Sequence, residues 1–353
     1  MSKRILIMAG GTGGHVFPAL AVADYLEKRN WDVFWLGGTR GLEKQLVKLA
    51  PSRTLFIKFS GVRRNGILGW LLLPINLLFA CLEVIQFFKK IKPDVVVGFG
   101  GYVSVPGGVA AFLNRCPMVI HEQNAIPGLA NRLLAKFSTK VLLGFPGSIG
   151  RGVYVGNPLR PEFENIRSPE IRYAEREGRL KILVVGGSLG AKTFNELVPV
   201  SISKIRKDDR PHVVHQAGRN KLSELQKLYD KLGVEATLSE FIEDIPLAYS
   251  QADLVISRAG ALSVSEIAAV GVASILVPYP FAVDDHQTKN SEFLGKLGAA
   301  IIIDEAKISA DLLVGYLEKF SRPELMMMGV KARLGRKQGA SISVGQHIED
   351  LTP

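Results

Sequence analysis

Only two cysteines, Cys81 and Cys116, occur in 353 residues, both in apolar surroundings and neither at a metal-ligand spacing. That excludes a disulfide framework and points to buried thiols in a reducing compartment. Acids are scarce beside bases: 33 Asp and Glu face 44 Lys and Arg, a formal charge of +11. The surplus favours anionic partners, whether nucleic acid, phospholipid head groups or phosphorylated substrates, without choosing among them. Long apolar runs are missing too. Residues 5–9 follow Lys3 and Arg4 like the start of a signal peptide, but the glycines at 10, 11, 13 and 14 break the run, which places the protein in the cytoplasm. Segment 67–88 comes nearest to a span, yet Pro74, Asn76, Glu83 and Gln86 interrupt the roughly 20 predominantly apolar residues that a span needs. It reads either as one or two buried helices or as an apolar surface patch. Lys58, Arg63, Arg64, Lys89, Lys90 and Lys92 would rim such a patch, suiting an anionic membrane surface.

What is present is a globular composition, 47% hydrophobic, at a length suited to two domains. Apolar runs at 5–8, 33–36, 95–97, 118–120, 141–143 and 153–155 alternate with helical stretches, and again at 182–185, 213–216, 236–238, 254–256, 274–277 and 300–303. This is the α/β pattern of parallel sheets with crossover helices. Gly156-Asn157-Pro158-Leu159-Arg160-Pro161 marks the hinge. The expected domains are 1–157 and 158–335, with a helical tail at 336–353.

A glycine-rich turn occurs twice, each time after a short apolar run. Ile5-Leu6-Ile7-Met8-Ala9 leads into Gly10-Gly11-Thr12-Gly13-Gly14-His15, and Ile182-Leu183-Val184-Val185 into Gly186-Gly187-Ser188-Leu189-Gly190-Ala191. Strand, glycine turn and helix gather backbone N–H groups at a positive helix terminus, which suits phosphate. A nicotinamide cofactor is disfavoured, because neither second strand, Leu36-Gly37-Gly38-Thr39-Arg40 or His215-Gln216-Ala217-Gly218, ends in the acid that holds a ribose. An ATPase P-loop is disfavoured because Ala191 replaces the glycine required before Lys192 and no acid pair awaits magnesium. A diphosphate held without metal or cofactor remains, taken up by the N–H groups of 188–191, with Arg160 adding a charge or forming a domain-linking salt bridge.

Downstream, Ser257-Arg258-Ala259-Gly260-Ala261-Leu262-Ser263-Val264-Ser265-Glu266 offers small residues that let a ligand approach the backbone. The Glu266 carboxylate would accept two ribose hydroxyls, although Ser263 with Glu266 also fits a capping box. His286, Gln287 and Asn290 put neutral donors and acceptors within one turn, fit for sugar hydroxyls or simply for water.

With Gly98-Phe99-Gly100-Gly101-Tyr102-Val103-Ser104, His121-Glu122-Gln123-Asn124 and Gly156-Asn157-Pro158, these segments resemble the MurG family of bacterial peptidoglycan glycosyltransferases (glycosyltransferase family 28), in order and over nearly the whole chain. The resemblance implies the GT-B fold: two Rossmann-like domains facing a cleft, with the C-terminal helix packing back on the N-terminal domain. It implies inverting transfer of GlcNAc from UDP-GlcNAc to the C4 hydroxyl of MurNAc-(pentapeptide)-pyrophosphoryl-undecaprenol, at the cytoplasmic face of the inner membrane. By the same resemblance Ser188 contacts the diphosphate and Ile242 the uracil. Ala261, Leu262, Ser263, Val264, Ser265 and Glu266 contact the nucleoside, and Gln287 with Asn290 the GlcNAc. Thr12, Gly13, Gly14, Asn124 and Arg160 would close over the donor, while Gly100, Gly101 and Tyr102 would hold the acceptor's diphosphate. His286 stands where some relatives have glutamine.

The transfer needs a base for the hydroxyl proton, and His15 is the first candidate because its glycine loop presents it and its ordinary pKa is near neutral. Glu122 is the second. The competing readings are a UDP-GlcNAc 2-epimerase without a lipid acceptor, and a nucleic-acid binder. Against the latter, the basic residues lack interleaved aromatics, so no nucleic acid is expected.

Overall fold

The computed structural model describes residues 2–59 and 66–352, the side chains of 66–70 excepted. Arg63, Arg64 and the Trp70 side chain therefore lie outside the described residues. The chain divides into two compact units, Met1–Arg160 with Gly339–Pro353, and Pro161–Gln338.

In the first unit β1 (Arg4–Ala9), α1 (Gly13–Glu27), β2 (Asp32–Gly38), α2 (Glu43–Leu46), β3 (Thr54–Ile57) and α3 (Gly66–Ile91) come first. β4 (Val95–Gly100), α4 (Ser104–Leu113), β5 (Met118–Glu122), α5 (Leu129–Leu134), β6 (Lys140–Leu143) and β7 (Val153–Tyr154) follow. The strands are parallel, in the order β3-β2-β1-β4-β5-β6-β7. Ile5, Ile7 and Ala9 enter one core with Val16, Val22 and Leu26 of α1, while Leu6 and Met8 enter the opposite core with Val84 and Phe88 of α3. A strand buried on both faces needs an unbroken apolar run, which is why β1 shows no alternation. Edge strand β3 goes unseen in the sequence: three of its four residues stay half-exposed and the run is too short to show a period.

The stretch expected to be interrupted forms a single 26-residue helix, α3. Ala80, Cys81, Val84, Phe88 and Ile91 make one buried stripe on the sheet. Asn76, Glu83 and Gln86 face outward, so their polar groups stay solvated, and Pro74, also exposed, lies inside the helix without ending it. By length and composition alone Leu71–Ile91 would suffice to cross a membrane, a correction to the expectation that it falls short.

In the second unit α6 (Pro161–Glu164), α7 (Pro169–Ala174), β8 (Lys181–Val185), α8 (Lys192–Lys204), β9 (His212–Gln216), α9 (Leu222–Lys231), β10 (Thr237–Ser239) and α10 (Ile245–Gln251) come first. β11 (Leu254–Ser257), α11 (Ala261–Val270), β12 (Ala273–Leu276), α12 (His286–Lys296), β13 (Ala300–Ile302), α13 (Ala310–Leu317) and α14 (Arg322–Leu334) complete it. Its six parallel strands run β10-β9-β8-β11-β12-β13 around a core that includes Ile182, Val184, Phe194, Val198, Leu254 and Ile256. α15 (Ala340–Glu349) then returns to the first unit, where Val344 and Ile348 join the α1-side core. There Arg29 pairs with Glu349 at 2.8 Å and Lys140 with Asp350 at 3.1 Å. Both units are Rossmann-like, and the C-terminal helix packs on the N-terminal one as expected.

In each sheet the order reverses once, between β1 and β4 and between β8 and β11. Parallel α/β sheets take ligands at the carboxyl ends of such a pair. Both glycine turns sit there.

Candidate active site

In the first unit the turn after β1 is shaped by contacts that only glycine permits. Gly11 has φ +99°, Gly101 has φ +83°, and a Cβ on Gly101 would lie 2.4 Å from the Gly10 carbonyl oxygen. The loops after β1 and β4 therefore touch backbone to backbone. Thr12 stands at the start of α1 without a side-chain cap, and the first turn carries no acid, so the positive helix end is unneutralised by its own residues. A residue that sequence reasoning missed holds this loop. Glu43 is fully buried, and its carboxylate accepts from the amides of Gly11 at 3.0 Å and Gly38 at 2.7 Å. Its signal was faint: it is the only acid between Asp32 and Glu83.

His15, one turn into α1, has its Nδ1 3.0 Å from the Gln123 side-chain oxygen. Gln123 in turn donates to His121 Nδ1 at 3.1 Å, and His121 Nε2 lies 2.9 Å from the Gly156 carbonyl. His121 is completely buried against Phe99, with ring centroids 5.5 Å apart. Burial holds its pKa down to about 4, against the lift from the Gly156 bond.

Glu122, the alternative base, is differently placed. Its carboxylate is buried and accepts from the Asn124 amide at 2.9 Å, Asn124 Nδ2 at 3.2 Å, the Gly128 amide at 3.0 Å and Asn131 Nδ2 at 2.9 Å. Four donors fill its acceptor positions, which suits holding the 124–128 loop better than collecting a proton. Tyr102 is exposed beside Gly100 and Gly101.

In the second unit Ser188 and Leu189 stand exposed at the tip of the glycine turn, and α8 starts with no side-chain cap and no acid in its first turn. Not every amide of 188–191 faces outward: that of Gly190 donates to Gly187 oxygen at 2.9 Å and closes the turn. Gly190 has φ +66°, and a Cβ there would sit 1.9 Å from the Ala217 carbonyl oxygen. Buried Gln216, also missed in the sequence, donates to Gly187 oxygen at 3.0 Å and accepts from the Ile242 amide at 3.0 Å. One side chain thus sets the distance between the expected diphosphate and uracil contacts.

α11 starts at Ala261 with Gly260 as its cap, so Ser263 lies inside the helix and the capping-box reading fails. Behind Glu266 the Tyr249 hydroxyl is wholly buried; burial, then the Glu266 carboxylate, pushes its pKa well above the ordinary value. Arg258, at the end of β11, grips Glu305 with two hydrogen bonds of 2.7 and 2.8 Å, and Thr193 of α8 donates to the same carboxylate. Burial raises the Glu305 carboxyl, but the bonds from Arg258 and Thr193 and the guanidinium charge bring it below its usual value. Gln287 accepts from the Tyr279 amide at 2.9 Å, and buried Asn290 donates to Ala259 oxygen at 3.2 Å. Those two amides tie the loops after β11 and β12 together, each through one end of its side chain. His286 has Nδ1 2.6 Å from Val283 oxygen.

Each unit thus gathers its own expected residues at one sheet edge. Thr12, Gly13, Gly14, His15, Gly100, Gly101, Glu122 and Asn124 belong to the first, and Ser188, Ile242, the 261–266 segment, Gln287 and Asn290 to the second. Arg160 is the last residue of the first unit before the chain crosses over. Among the described residues no group of three or more His, Cys, Asp or Glu could hold a metal ion.

The model of the glycosyltransferase family 28 N-terminal domain matches residues 5–143, and that of the C-terminal domain residues 181–341. The chain belongs to glycosyltransferase family 28. It is 48% identical, over 99% of each chain, to the UDP-N-acetylglucosamine–N-acetylmuramyl-(pentapeptide) pyrophosphoryl-undecaprenol N-acetylglucosamine transferase of Dechloromonas aromatica strain RCB. The MurG structure of Acinetobacter baumannii matches this family 28 chain with a TM-score of 0.83 and 37% identity over 99% of each chain. A UDP-GlcNAc 2-epimerase of Neisseria meningitidis reaches 0.65 at 12% identity, covering 98% of this chain and 100% of that one, a likeness of fold alone.

Proposed function

We propose that the chain transfers N-acetylglucosamine from UDP-GlcNAc to the 4-hydroxyl of the undecaprenyl-pyrophosphoryl N-acetylmuramyl pentapeptide, with inversion, at the cytoplasmic face of the inner membrane. The observation that carries this reading is a donor-type half-site in one unit and a base-bearing half-site in the other, in a family 28 chain. His15 Nε2 takes the proton of the 4-hydroxyl as its oxygen bonds to the anomeric carbon. The anomeric C–O bond breaks in the same step, and its electron pair leaves on the β-phosphate oxygen of UDP. The uncapped start of α8 and the Ser188 turn receive that charge without a metal. Ile242, held by Gln216, meets the uracil, and the 261–266 segment with Glu266 meets the ribose. Gln287 and Asn290 border the sugar. Gly100, Gly101 and Tyr102 face the acceptor diphosphate, and Glu122 keeps Asn124 in place rather than acting as base.

The lipid acceptor accounts for α3. Leu71, Ile75, Leu78, Phe79 and Leu82 form an exposed apolar row, with Leu71 69% and Phe79 65% accessible, and Lys58, Lys89, Lys90 and Lys92 are exposed around it. Apolar insertion plus attraction to anionic head groups holds a protein on a membrane. This surface favours the transferase over an epimerase, which has no lipid substrate. The test is UDP release from UDP-GlcNAc with and without the lipid-linked muramyl pentapeptide. Release that depends on the lipid supports the transferase; release without any acceptor overturns it.

A further inference from the structure

We propose that Gln123 and His121 are positioning residues that fix the tautomer of His15: a one-way hydrogen-bond chain from the Gly156 carbonyl keeps the proton on His15 Nδ1 and leaves Nε2 with its lone pair. Each link follows from the one before. A carbonyl oxygen only accepts, so the His121 nitrogen 2.9 Å from Gly156 oxygen, Nε2, carries the hydrogen. Enclosure in the core keeps that ring neutral, so its Nδ1 is bare and accepts. The Gln123 group 3.1 Å from Nδ1 must then be its NH2, which also reaches the His121 carbonyl at 3.2 Å. The oxygen of the same amide is left to face His15, 3.0 Å from Nδ1, and that nitrogen must donate.

The chain is braced along its length. Asn157 Nδ2 donates to the Gln123 carbonyl at 3.1 Å, and Asn131 Nδ2 to the His121 carbonyl at 3.1 Å. Gly100, at φ +101°, leaves the room the His15 ring occupies, since a Cβ there would lie 3.0 Å from His15 Cε1 and Nδ1. Three other titratable groups border this arrangement. His121 lies behind Gln123, Glu122 behind Asn131, and Glu43 on the Gly11 amide. A neutral amide as partner orients the imidazole without the full charge that a carboxylate would place beside it. Where a histidine base is held in the wrong tautomer, turnover falls by orders of magnitude.

The activity arm of the test rests on His15 being the base; the tautomer arm does not. In the full chain with isotopically labelled histidine, long-range proton–nitrogen correlation spectra report which ring nitrogen is protonated, with His15→Gln identifying the His15 signal. The expected pattern is Nδ1–H on His15 and Nε2–H on His121; Nε2–H on His15 overturns the proposal. Gln123→Leu should move His15 toward the Nε2–H form and cut kcat at least tenfold, with KM for UDP-GlcNAc within about twofold. Gln123→Glu places a carboxylate against Nδ1, favours imidazolium, and should move the acid limb of kcat/KM up by about one pH unit. This second variant keeps the test open if the leucine variant does not fold. An unaltered His15 tautomer in Gln123→Leu refutes the relay. An altered tautomer with unchanged kcat leaves the relay standing and removes His15 as the base.

Discussion

Glu43 and Gln216 each hold a glycine loop from outside it. Glu43→Gln leaves one of two amides, that of Gly38 in a buried hydrogen bond or that of Gly11 in a part-buried one, facing an NH2 group instead of an oxygen, at a cost of about 1–3 kcal/mol. Urea denaturation should show that loss, and an unchanged midpoint would mean the loop stands without the carboxylate. The second glycine loop separates strain from collision. Gly187 has φ +84° with nothing within 4 Å of a Cβ, so Gly187→Ala meets only the positive-φ penalty of about 1–2 kcal/mol. Gly190→Ala would drive a methyl into the Ala217 carbonyl and push the loop off its place. Calorimetric titration with UDP should therefore show Gly190→Ala losing at least about tenfold in affinity, more than Gly187→Ala.

At the scale of elements, α3 makes a separable prediction. Leu78→Glu with Phe79→Glu removes two of the exposed apolar side chains, each worth about 1.5–3 kcal/mol when buried. Co-sedimentation with anionic lipid vesicles should fall at least about thirtyfold, while UDP affinity in solution stays unchanged. Retained sedimentation would move the membrane contact elsewhere. The same element shows where sequence legibility ended. Strands such as β1 and β8, apolar after their first residue and followed by glycine, announced themselves, because burial on both faces and a tight turn constrain composition locally. α3 looked broken because Pro74 and Glu83 are judged by residue type, whereas Glu83 faces outward and the helix runs on through Pro74. Within the candidate site, the places of His15, Ser188 and the 261–266 segment in the fold were legible, each just after a strand. Glu43, Gln216 and the Arg258–Glu305 pair were not, since each acts on loops set beside it by strand order, with no fixed spacing to betray it.

For the whole molecule, two compact units, each built on its own sheet with its own buried residues, should unfold in two steps rather than one. Each contains a histidine kept neutral by burial, His121 at about 4 and His215 at about 3. Both folded values lie below the unfolded value of about 6.5, so between them the unfolded chain binds more protons. Each histidine's contribution is complete above about pH 6.5 and is lost as pH falls through its folded value, with a slope near 1.4 kcal/mol per pH unit. Denaturation curves at pH 7.5, 6 and 5 (approximate settings chosen to bracket that slope) should show both steps weakening. His215→Phe should flatten only the step of the second unit; flattening of neither step would locate the acid sensitivity elsewhere.

The first unit is discontinuous: its sheet is made before the second unit, and α15, which covers α1, is made after it. On a ribosome moving at about 5–20 residues per second, the roughly 180 intervening residues separate the two by about 10–40 s. During that interval the second unit, contiguous in the chain, can finish folding, while the groove awaiting Val344 and Ile348 stays open. The second unit can therefore form before the first is complete, and α15, made after it, is the element that seals the first.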